Sequence, residues 1–282
     1  NAMQKLITSN PARQSGRHAL LAVLSLVMLA ACSEPEFLLE GDRIDVLPAQ
    51  VIETADAAAL AEGAGLAVEV NIANAPVVGL TAGHAGGNPR LAAPLTQIWS
   101  ASIGGAGSRL TDLAMPVVGD GRVFTVAPNG MVKAFAIDNG AVIWTSNIEQ
   151  IADDALPGIG GGMAVTAEGL AVHAGGRRLA MLNLADGTTL WSLDLDIPLR
   201  GGPTPLGDDR LAVTDLDGNM IVFNTAGGEQ LWEHYGIAAD TVLFGAPSPA
   251  YANDEIVLAG SGGEVSYFDA LEGELLWTDS VA

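Results

Sequence analysis

The chain has 282 residues, of which 12 are basic and 33 are acidic, giving a formal net charge of −21. A surface this acidic repels phosphate groups, which excludes proteins that hold nucleic acid or anionic lipid headgroups through a basic face. Cys32 is the single cysteine, so a disulfide within the chain is excluded as a source of stability.

The N-terminal 31 residues are predicted to be a cleavage scar followed by a lipoprotein signal peptide. Residues 1–2 precede Met3 and are typical of what remains after an expression tag is removed. Three basic residues then precede an apolar run from Ala19 to Ala31, which is too short to span a bilayer as a mature helix. Leu29-Ala30-Ala31-Cys32 resembles the lipobox of bacterial lipoproteins, in which the cysteine receives the lipid.

Lipidation of Cys32 would decide how the protein reaches a membrane. Cleavage before Cys32 removes three basic residues and no acidic one, so the net charge changes from −21 to −24. No basic patch remains for membrane attachment, whereas several acyl chains on one cysteine are enough for stable anchoring. Ser33 at the next position favours the outer membrane, by resemblance to lipoproteins of enteric bacteria. A plain secretory signal with a chance cysteine is the alternative.

Residues 32–91 are predicted to be a lipidated cysteine followed by a flexible tether. The segment is rich in alanine and glycine, and it offers little apolar surface that could be buried. Residues 68–72 are the one stretch expected to form a strand, at the rim of the domain that follows.

Residues 92–282 are organised as a repeat. The five tryptophans of the chain are separated by 45, 47, 41 and 45 residues. Four of them end a predicted hairpin with a glycine-containing turn, of which residues 129–144 are the clearest example. The first tryptophan belongs to a lone predicted strand, residues 97–100. The repeated residues are Trp99, Trp144, Trp191, Trp232 and Trp277.

The length of the repeat indicates the fold. Each unit also contains a pair of short predicted strands before its hairpin, and four strands in about 45 residues are typical of a β-propeller blade. We therefore predict an all-β propeller with about four blades plus an N-terminal orphan strand. Trp144, Trp191, Trp232 and Trp277 are predicted to lie buried between neighbouring blades. A β-sandwich with accidental internal similarity is the alternative.

The sequence contains no persuasive catalytic, metal or cofactor site. The glycine-rich residues 104–107 and 158–162 are not followed by the lysine or ribose-binding acid of a phosphate-binding loop. Residues 215–219 resemble half of a calcium loop, but Ala226 stands where that loop needs a glutamate. The histidines lack ligand spacing, and no nucleophile elbow occurs. A non-catalytic protein without a cofactor is predicted.

The hairpin motif resembles the PQQ-like propeller repeat. An apolar strand, an Asp or Asn, a glycine and a closing tryptophan recur at residues 134–144, 181–191, 222–232 and 267–277. One branch of that family, the quinoprotein dehydrogenases, holds a quinone over a central tryptophan, with calcium and usually a vicinal cysteine pair that this sequence lacks. The other branch, the BamB-type outer-membrane assembly lipoproteins, uses the propeller as a scaffold. The resemblance to it is closer because it includes the lipobox and the tether.

The BamB-type resemblance implies a partner and the residues that bind it. In that branch a Leu-Arg-Gly loop contacts the POTRA region of the barrel-assembly protein BamA, and Leu199 and Arg200 are the matching positions. A rim arginine that pairs with one of many acidic residues is the alternative for Arg200. An acidic pair found in some members is replaced here by Val242-Leu243-Phe244.

The resemblance also implies a location, the periplasmic face of the outer membrane of a Gram-negative bacterium. Two other functional classes remain open. One is a periplasmic propeller lipoprotein with another protein or glycan partner, and the less favoured one is a quinoprotein dehydrogenase.

The number of units raises the question of ring closure. The ring in this family usually has about eight blades, whereas the sequence contains four units and an orphan strand. Residues 275–278 already provide the outer strand of the last unit, so the orphan strand is not needed there. We expect roughly four further units to complete the ring. A closed four-bladed ring and a dimer of half-rings are the alternatives.

Overall fold

The computed structural model describes residues 67–91, 93–104, 113–148, 160–237 and 248–280. The signal peptide, Cys32 and the tether up to residue 66 lie outside the described residues. Within these ranges every regular element is a β-strand, which confirms the all-β prediction. In the same ranges no helical segment has the length and apolarity that a membrane crossing requires.

Two short strands precede the repeats, β1 (Glu69–Val70) and β2 (Asn88–Pro89). The first blade comprises β3 (Val117–Gly119), β4 (Arg122–Val126), β5 (Met131–Ala136) and β6 (Val142–Asn147). The second comprises β7 (Gly162–Val165), β8 (Leu170–His173), β9 (Arg178–Leu182) and β10 (Thr189–Asp194). The third comprises β11 (Leu199–Leu206), β12 (Arg210–Asp215), β13 (Met220–Asn224) and β14 (Gln230–His234). The fourth comprises β15 (Ala250–Ala252), β16 (Glu255–Ala259), β17 (Glu264–Asp269) and β18 (Leu275–Ser280).

Each blade is a four-stranded antiparallel sheet whose strands pair in chain order. The last hairpin of a blade has an irregular register beside its tryptophan, as between Ala134 and Phe135 opposite Trp144. The turn before each of these tryptophans contains a glycine with positive φ, such as Gly187 at 75°, a conformation that is costly for other residues. The prediction of four-stranded repeat units is confirmed.

The hydrophobic core lies between the blades. Three clusters of buried apolar side chains fill the interfaces between consecutive blades. In the first cluster, Phe124 of β4 packs with Met163 of β7 and Leu170 of β8. Burial of one such side chain contributes roughly 1.5–3 kcal/mol, so contacts between blades are a main source of stability. On the outer strand of the fourth blade, β18, every residue is exposed.

Trp144 docks on the hairpin turn of the next blade. Its Nε1 donates a hydrogen bond of 2.9 Å to the carbonyl oxygen of Leu184. A Cβ atom at Gly187 would lie 2.7 Å from the indole Cδ2 atom, so only glycine leaves room for the ring. The side chain is 7% exposed, as predicted for a tryptophan between blades.

The indole ring lies against the glycine of the next hairpin turn in each following pair of blades. Nε1 of Trp191 donates to the carbonyl oxygen of Thr225 at 2.8 Å. The ring of Trp232 lies against Gly273, but its buried Nε1 has no hydrogen-bond partner among the described residues. Both rings are half-buried and pack against their interface clusters.

Trp277 is 46% exposed and stacks on Tyr267 of the adjacent strand with a centroid distance of 5.4 Å. The prediction of burial between blades is therefore wrong for Trp277. The physical reason is that its ring faces the exposed side of the fourth blade instead of a following turn.

Trp99 uses the same docking geometry without belonging to a strand. Residues 97–100 are irregular, so the orphan segment is placed by its indole ring rather than by sheet pairing. Nε1 of Trp99 donates to the carbonyl oxygen of Ile137 at 2.8 Å, and the ring fills the space beside Gly140.

The end of the predicted tether is packed on the blades. Residues 75–83, here called the inner strap, cross the first strands of the blades. The amide and carbonyl groups of Ala75 exchange hydrogen bonds of 2.9 and 2.8 Å with Val118 of β3. This part of the chain therefore differs from the flexible tether that composition predicted. The strand expected at residues 68–72 is present as β1, but β1 pairs in parallel with β2 rather than with a blade.

Candidate functional site

The two predicted partner-binding residues begin strand β11. Leu199 pairs with Asp215 and Arg200 pairs with Thr214 across the β11–β12 hairpin. Leu199 is 0% exposed and Arg200 is 4% exposed. The premise that they lie on an exposed rim loop is therefore wrong. Both residues pair with β12, Leu199 belongs to the cluster between the second and third blades, and Arg200 is hydrogen-bonded to the backbone of Asp215. Partner binding through this part of the molecule stays a prediction.

The side chain of Arg200 is hydrogen-bonded to the turn between β12 and β13, residues 215–219. Its Nε donates to the backbone carbonyl oxygen of Asp215 at 2.8 Å, and its own carbonyl accepts a hydrogen bond of 2.9 Å from the hydroxyl of Thr214. Burial lowers the pKa of Arg200, and the charges of Asp215 and Glu264 oppose that shift. An arginine stays protonated in spite of such a shift. A buried positive charge therefore lies beside the turn that begins at Asp215.

The turn that Arg200 supports is the stretch that resembles half of a calcium loop. The carboxylate of Asp215 accepts hydrogen bonds from the amide groups of Asp217 at 3.0 Å and Asn219 at 2.9 Å, and from Nδ2 of Asn219 at 2.8 Å. Burial raises the pKa of Asp215, and these hydrogen bonds oppose the rise. No group of three potential metal ligands occurs among the described residues. The turn's own donors satisfy Asp215.

Asn219 connects the turn to the end of the third blade. Its Oδ1 accepts a hydrogen bond of 3.1 Å from the amide of Gly236. A Cβ atom at Gly236 would overlap the carbonyl group of Gly218, so the close approach of the two segments requires glycine. This contact fixes the residues on either side, Tyr235 and Ile237, which are 74% and 70% exposed.

Tyr235 lies between two clefts. The first has a volume of about 360 Å³ and an acidic lining that includes Asp196 and Glu233. The second has a volume of about 210 Å³ and a mainly apolar lining that includes Ile237 and Leu258. Tyr235 lines both. We call Tyr235, Ile237 and the two clefts the Tyr235 surface.

The Tyr235 surface combines exposed apolar side chains with acidic groups. Asp194 of the acidic cleft is bound by Arg178 at 2.7 and 3.0 Å, an interaction that lowers its pKa. Asp196 is exposed and lies in the same cleft, so the cleft presents a negative charge at the surface. Sequence reasoning missed Tyr235 and Ile237. The available signal was a pair of large apolar residues directly after a strand, where polar turn residues are common.

The buried histidine of the second blade has a structural environment. Nε2 of His173 lies 2.6 Å from the carbonyl oxygen of Gly201, and its Nδ1 accepts a hydrogen bond of 3.2 Å from the amide of Gly175. Burial lowers the pKa of His173 to about 4. The imidazole is therefore neutral at neutral pH and satisfied by the backbone.

Sequence comparison identifies the family. Residues 128–282 match the profile of a family described as outer membrane protein assembly factor BamB. The chain belongs to the BamB family. The BamB protein of Shewanella oneidensis is 30% identical over 193 residues, which cover 65% of this chain and 48% of that protein. The BamB protein of Burkholderia pseudomallei is 29% identical over 187 residues, covering 66% and 46%. The chain thus spans about half the length of these curated relatives.

Solved structures support the propeller fold. A quinohemoprotein alcohol dehydrogenase from Pseudomonas putida superposes with a TM-score of 0.57 at 17% identity, covering 75% of this chain and 40% of that one. The corresponding enzyme from Comamonas testosteroni gives a TM-score of 0.56 at 16% identity, with coverage of 74% and 41%. At this level of identity the likeness concerns the fold alone.

Proposed function

We propose that this protein is a non-catalytic scaffold lipoprotein of the outer-membrane β-barrel assembly machinery, and that it binds the POTRA region of a BamA-type protein. Its membership of the BamB family favours this role over a quinoprotein dehydrogenase. The lipid on Cys32 holds it at the periplasmic face of the outer membrane.

One observation carries the choice of binding surface. Tyr235 and Ile237 are large apolar side chains, 74% and 70% exposed, on a segment that the Arg200–Asp215–Asn219 contacts hold in place. Tyrosine is common among the residues that dominate protein interfaces, particularly where its surroundings are rigid. The acidic cleft beside it complements a basic side chain of the partner.

The buried pair Leu199 and Arg200 has a positioning role in this proposal. Arg200 bonds the backbone of the turn, and Leu199 fills the interface between the second and third blades. Their substitution would weaken partner binding by moving the Tyr235 surface rather than by removing a direct contact. A loss of stability is expected together with the loss of binding, because both side chains are buried.

The proposed function is tested by co-purification of the full chain with the POTRA region of a BamA-type protein from the same organism. We expect saturable binding by the lipidated protein and by the protein without its signal peptide. Absence of binding in both forms would contradict the proposal. Retention of a periplasmic protein other than the assembly protein, or of a glycan, would instead support the second class of propeller lipoprotein.

A further inference from the structure

The inner strap reaches every described blade in order. Pro76 accepts a hydrogen bond of 2.8 Å from the amide of Val165 in β7. Farther along, Ala82 accepts one of 2.9 Å from the amide of Tyr251 in β15. Together with the pair between Ala75 and Val118, these bonds join the strap to the first, second and fourth blades.

The third blade is contacted through side-chain packing. A Cβ atom at Gly202 of β11 would lie 3.7 Å from a methyl group of Val78. The first strands of consecutive blades also contact one another. The strap therefore follows a continuous surface formed by the inner edges of β3, β7, β11 and β15.

Most of the polar contacts of the strap use the backbone. The amide groups of Val118, Val165 and Tyr251 belong to edge strands of three different sheets, and each donates to a carbonyl oxygen of the strap. The strap is extended only at Ala75 and Pro76, and two hydrogen-bonded turns follow, from Val77 to Leu80 at 3.1 Å and from Thr81 to His84 at 2.9 Å. Backbone hydrogen bonding to the edge of a sheet is a common mode of peptide recognition, in which the backbone provides affinity and a few pockets select side chains.

One side chain of the strap fills an apolar pocket between the blades. Val77 is 4% exposed and belongs to the cluster between the second and third blades, whereas the other strap residues are partly or fully exposed. No charged residue occurs between Glu69 and Arg90, so the strap brings no additional negative charge to an acidic protein. The chain that leads from the strap to the blades is exposed at Leu91 and Leu95, at 72% and 70%.

We propose that the inner edges of the first strands form a binding groove for an uncharged peptide, and that residues 75–83 are its ligand within the same chain. The strap is held by backbone hydrogen bonds and by the Val77 side chain, and a peptide of the same sequence can replace it.

A cleavage experiment tests this proposal on the folded protein. A protease site is placed at the exposed Leu95, and the purified full chain is cut after folding. The strap then becomes a peptide ligand without a covalent link to the blades. A labelled peptide of residues 73–86 is added as a competitor. Peptides with Val77→Asp and, as a control with the same added charge at an exposed position, Asn74→Asp are compared with it.

We expect the cut strap to remain bound during gel filtration at high concentration and to be displaced by excess peptide. The Val77→Asp peptide should bind at least tenfold more weakly, and the Asn74→Asp peptide should bind like the parent. Hydrogen exchange gives a second measurement. Removal of the strap should expose the amides of Val118, Val165 and Tyr251 together, and the peptide should protect them again.

Two results would overturn the proposal. One is release of the cut strap with continued protection of the three amides, because the groove would then not depend on it. The other is unfolding of the blades when the strap is removed, because the strap would then be part of the fold rather than a ligand.

Discussion

Trp144 and Trp277 occupy equivalent positions in the first and fourth blades, but their surroundings differ. Trp144 is 7% exposed and bound to the next blade, whereas Trp277 is 46% exposed. Truncation of a buried tryptophan removes both apolar contacts and the indole hydrogen bond. We predict that Trp144→Ala lowers the free energy of unfolding by about 3–5 kcal/mol, and that Trp277→Ala lowers it by only about 1 kcal/mol.

Chemical denaturation of both variants measures this difference. If both variants lose the same stability, the conclusion that Trp144 links two blades and Trp277 does not would be contradicted.

His173 makes the stability of the blades dependent on pH. Its pKa is lowered to about 4 from an ordinary value of 6.5, so the unfolded chain binds the proton more readily than the folded chain. Its contribution is complete above pH 6.5 and is lost as the pH falls toward 4. The loss is on the order of 3 kcal/mol.

Comparison with His173→Asn isolates this contribution. Burial raises the pKa of Asp215, which has the opposite effect on the pH dependence, but that effect is present in both proteins. The free energy of unfolding of the parent protein should fall more steeply between pH 6.5 and 4 than that of the variant. If the free energy of unfolding has the same pH dependence in the parent protein and in the His173→Asn variant, His173 is not held neutral in the folded protein.

Reasoning from single residues was least successful at Leu199 and Arg200. A leucine, an arginine and two glycines in succession indicate a loop, and in isolation they carry no sign of burial. These residues are buried in a strand because they pair with β12 and because Leu199 packs against the second blade. These contacts join residues distant in the sequence, so local composition could not predict them.

The turn of the last hairpin in a blade provides the space in which the tryptophan of the preceding blade docks, as Gly187 does for Trp144. Gly187 and Gly121 both have positive φ, at 75° and 68°. A Cβ atom at Gly187 would overlap the ring of Trp144, whereas at Gly121 no atom lies within 4 Å. We predict that Gly187→Ala destabilises the protein by about 3 kcal/mol or more, and Gly121→Ala by only about 1 kcal/mol, the cost of the backbone conformation.

Thermal unfolding measures both variants, which carry the same glycine-to-alanine substitution at two different turns. A similar decrease in melting temperature for both would show that backbone conformation alone, and not space for the indole ring, explains the glycine at this turn.

The spacing of tryptophan and glycine predicts the blades because each repeat encodes its own contact with the next one. Trp144 and Gly187 lie in adjacent repeats and meet in space, so a periodic sequence implies a periodic structure. The inner strap has no such period. It consists of small, uncharged residues that bind mainly through the backbone, and side-chain composition carries little information about backbone contacts.

At the scale of the whole molecule, the acidic charge and the single cysteine act together. A protein with a net charge of −21 has no electrostatic attraction for anionic membranes, so we propose that membrane attachment depends on lipidation of Cys32. We predict that Cys32→Ala abolishes incorporation of a labelled fatty acid, with Ser33→Ala as the control that keeps its lipid. Labelling of the purified proteins measures both, and a labelled Cys32→Ala variant would contradict the lipoprotein assignment.

The central claim is that the propeller acts by holding a partner at the Tyr235 surface, and its most direct test is the affinity for the POTRA region of a BamA-type protein. Tyr235→Ala combined with Ile237→Ala is compared with Val142→Ala combined with Leu190→Ala, a pair that is also exposed but lies on β6 and β10. We predict that the first pair weakens binding by about 2 kcal/mol or more, roughly thirtyfold in Kd, with unchanged thermal stability, and that the second pair binds like the parent. Undiminished binding by the Tyr235 and Ile237 variant would contradict the account.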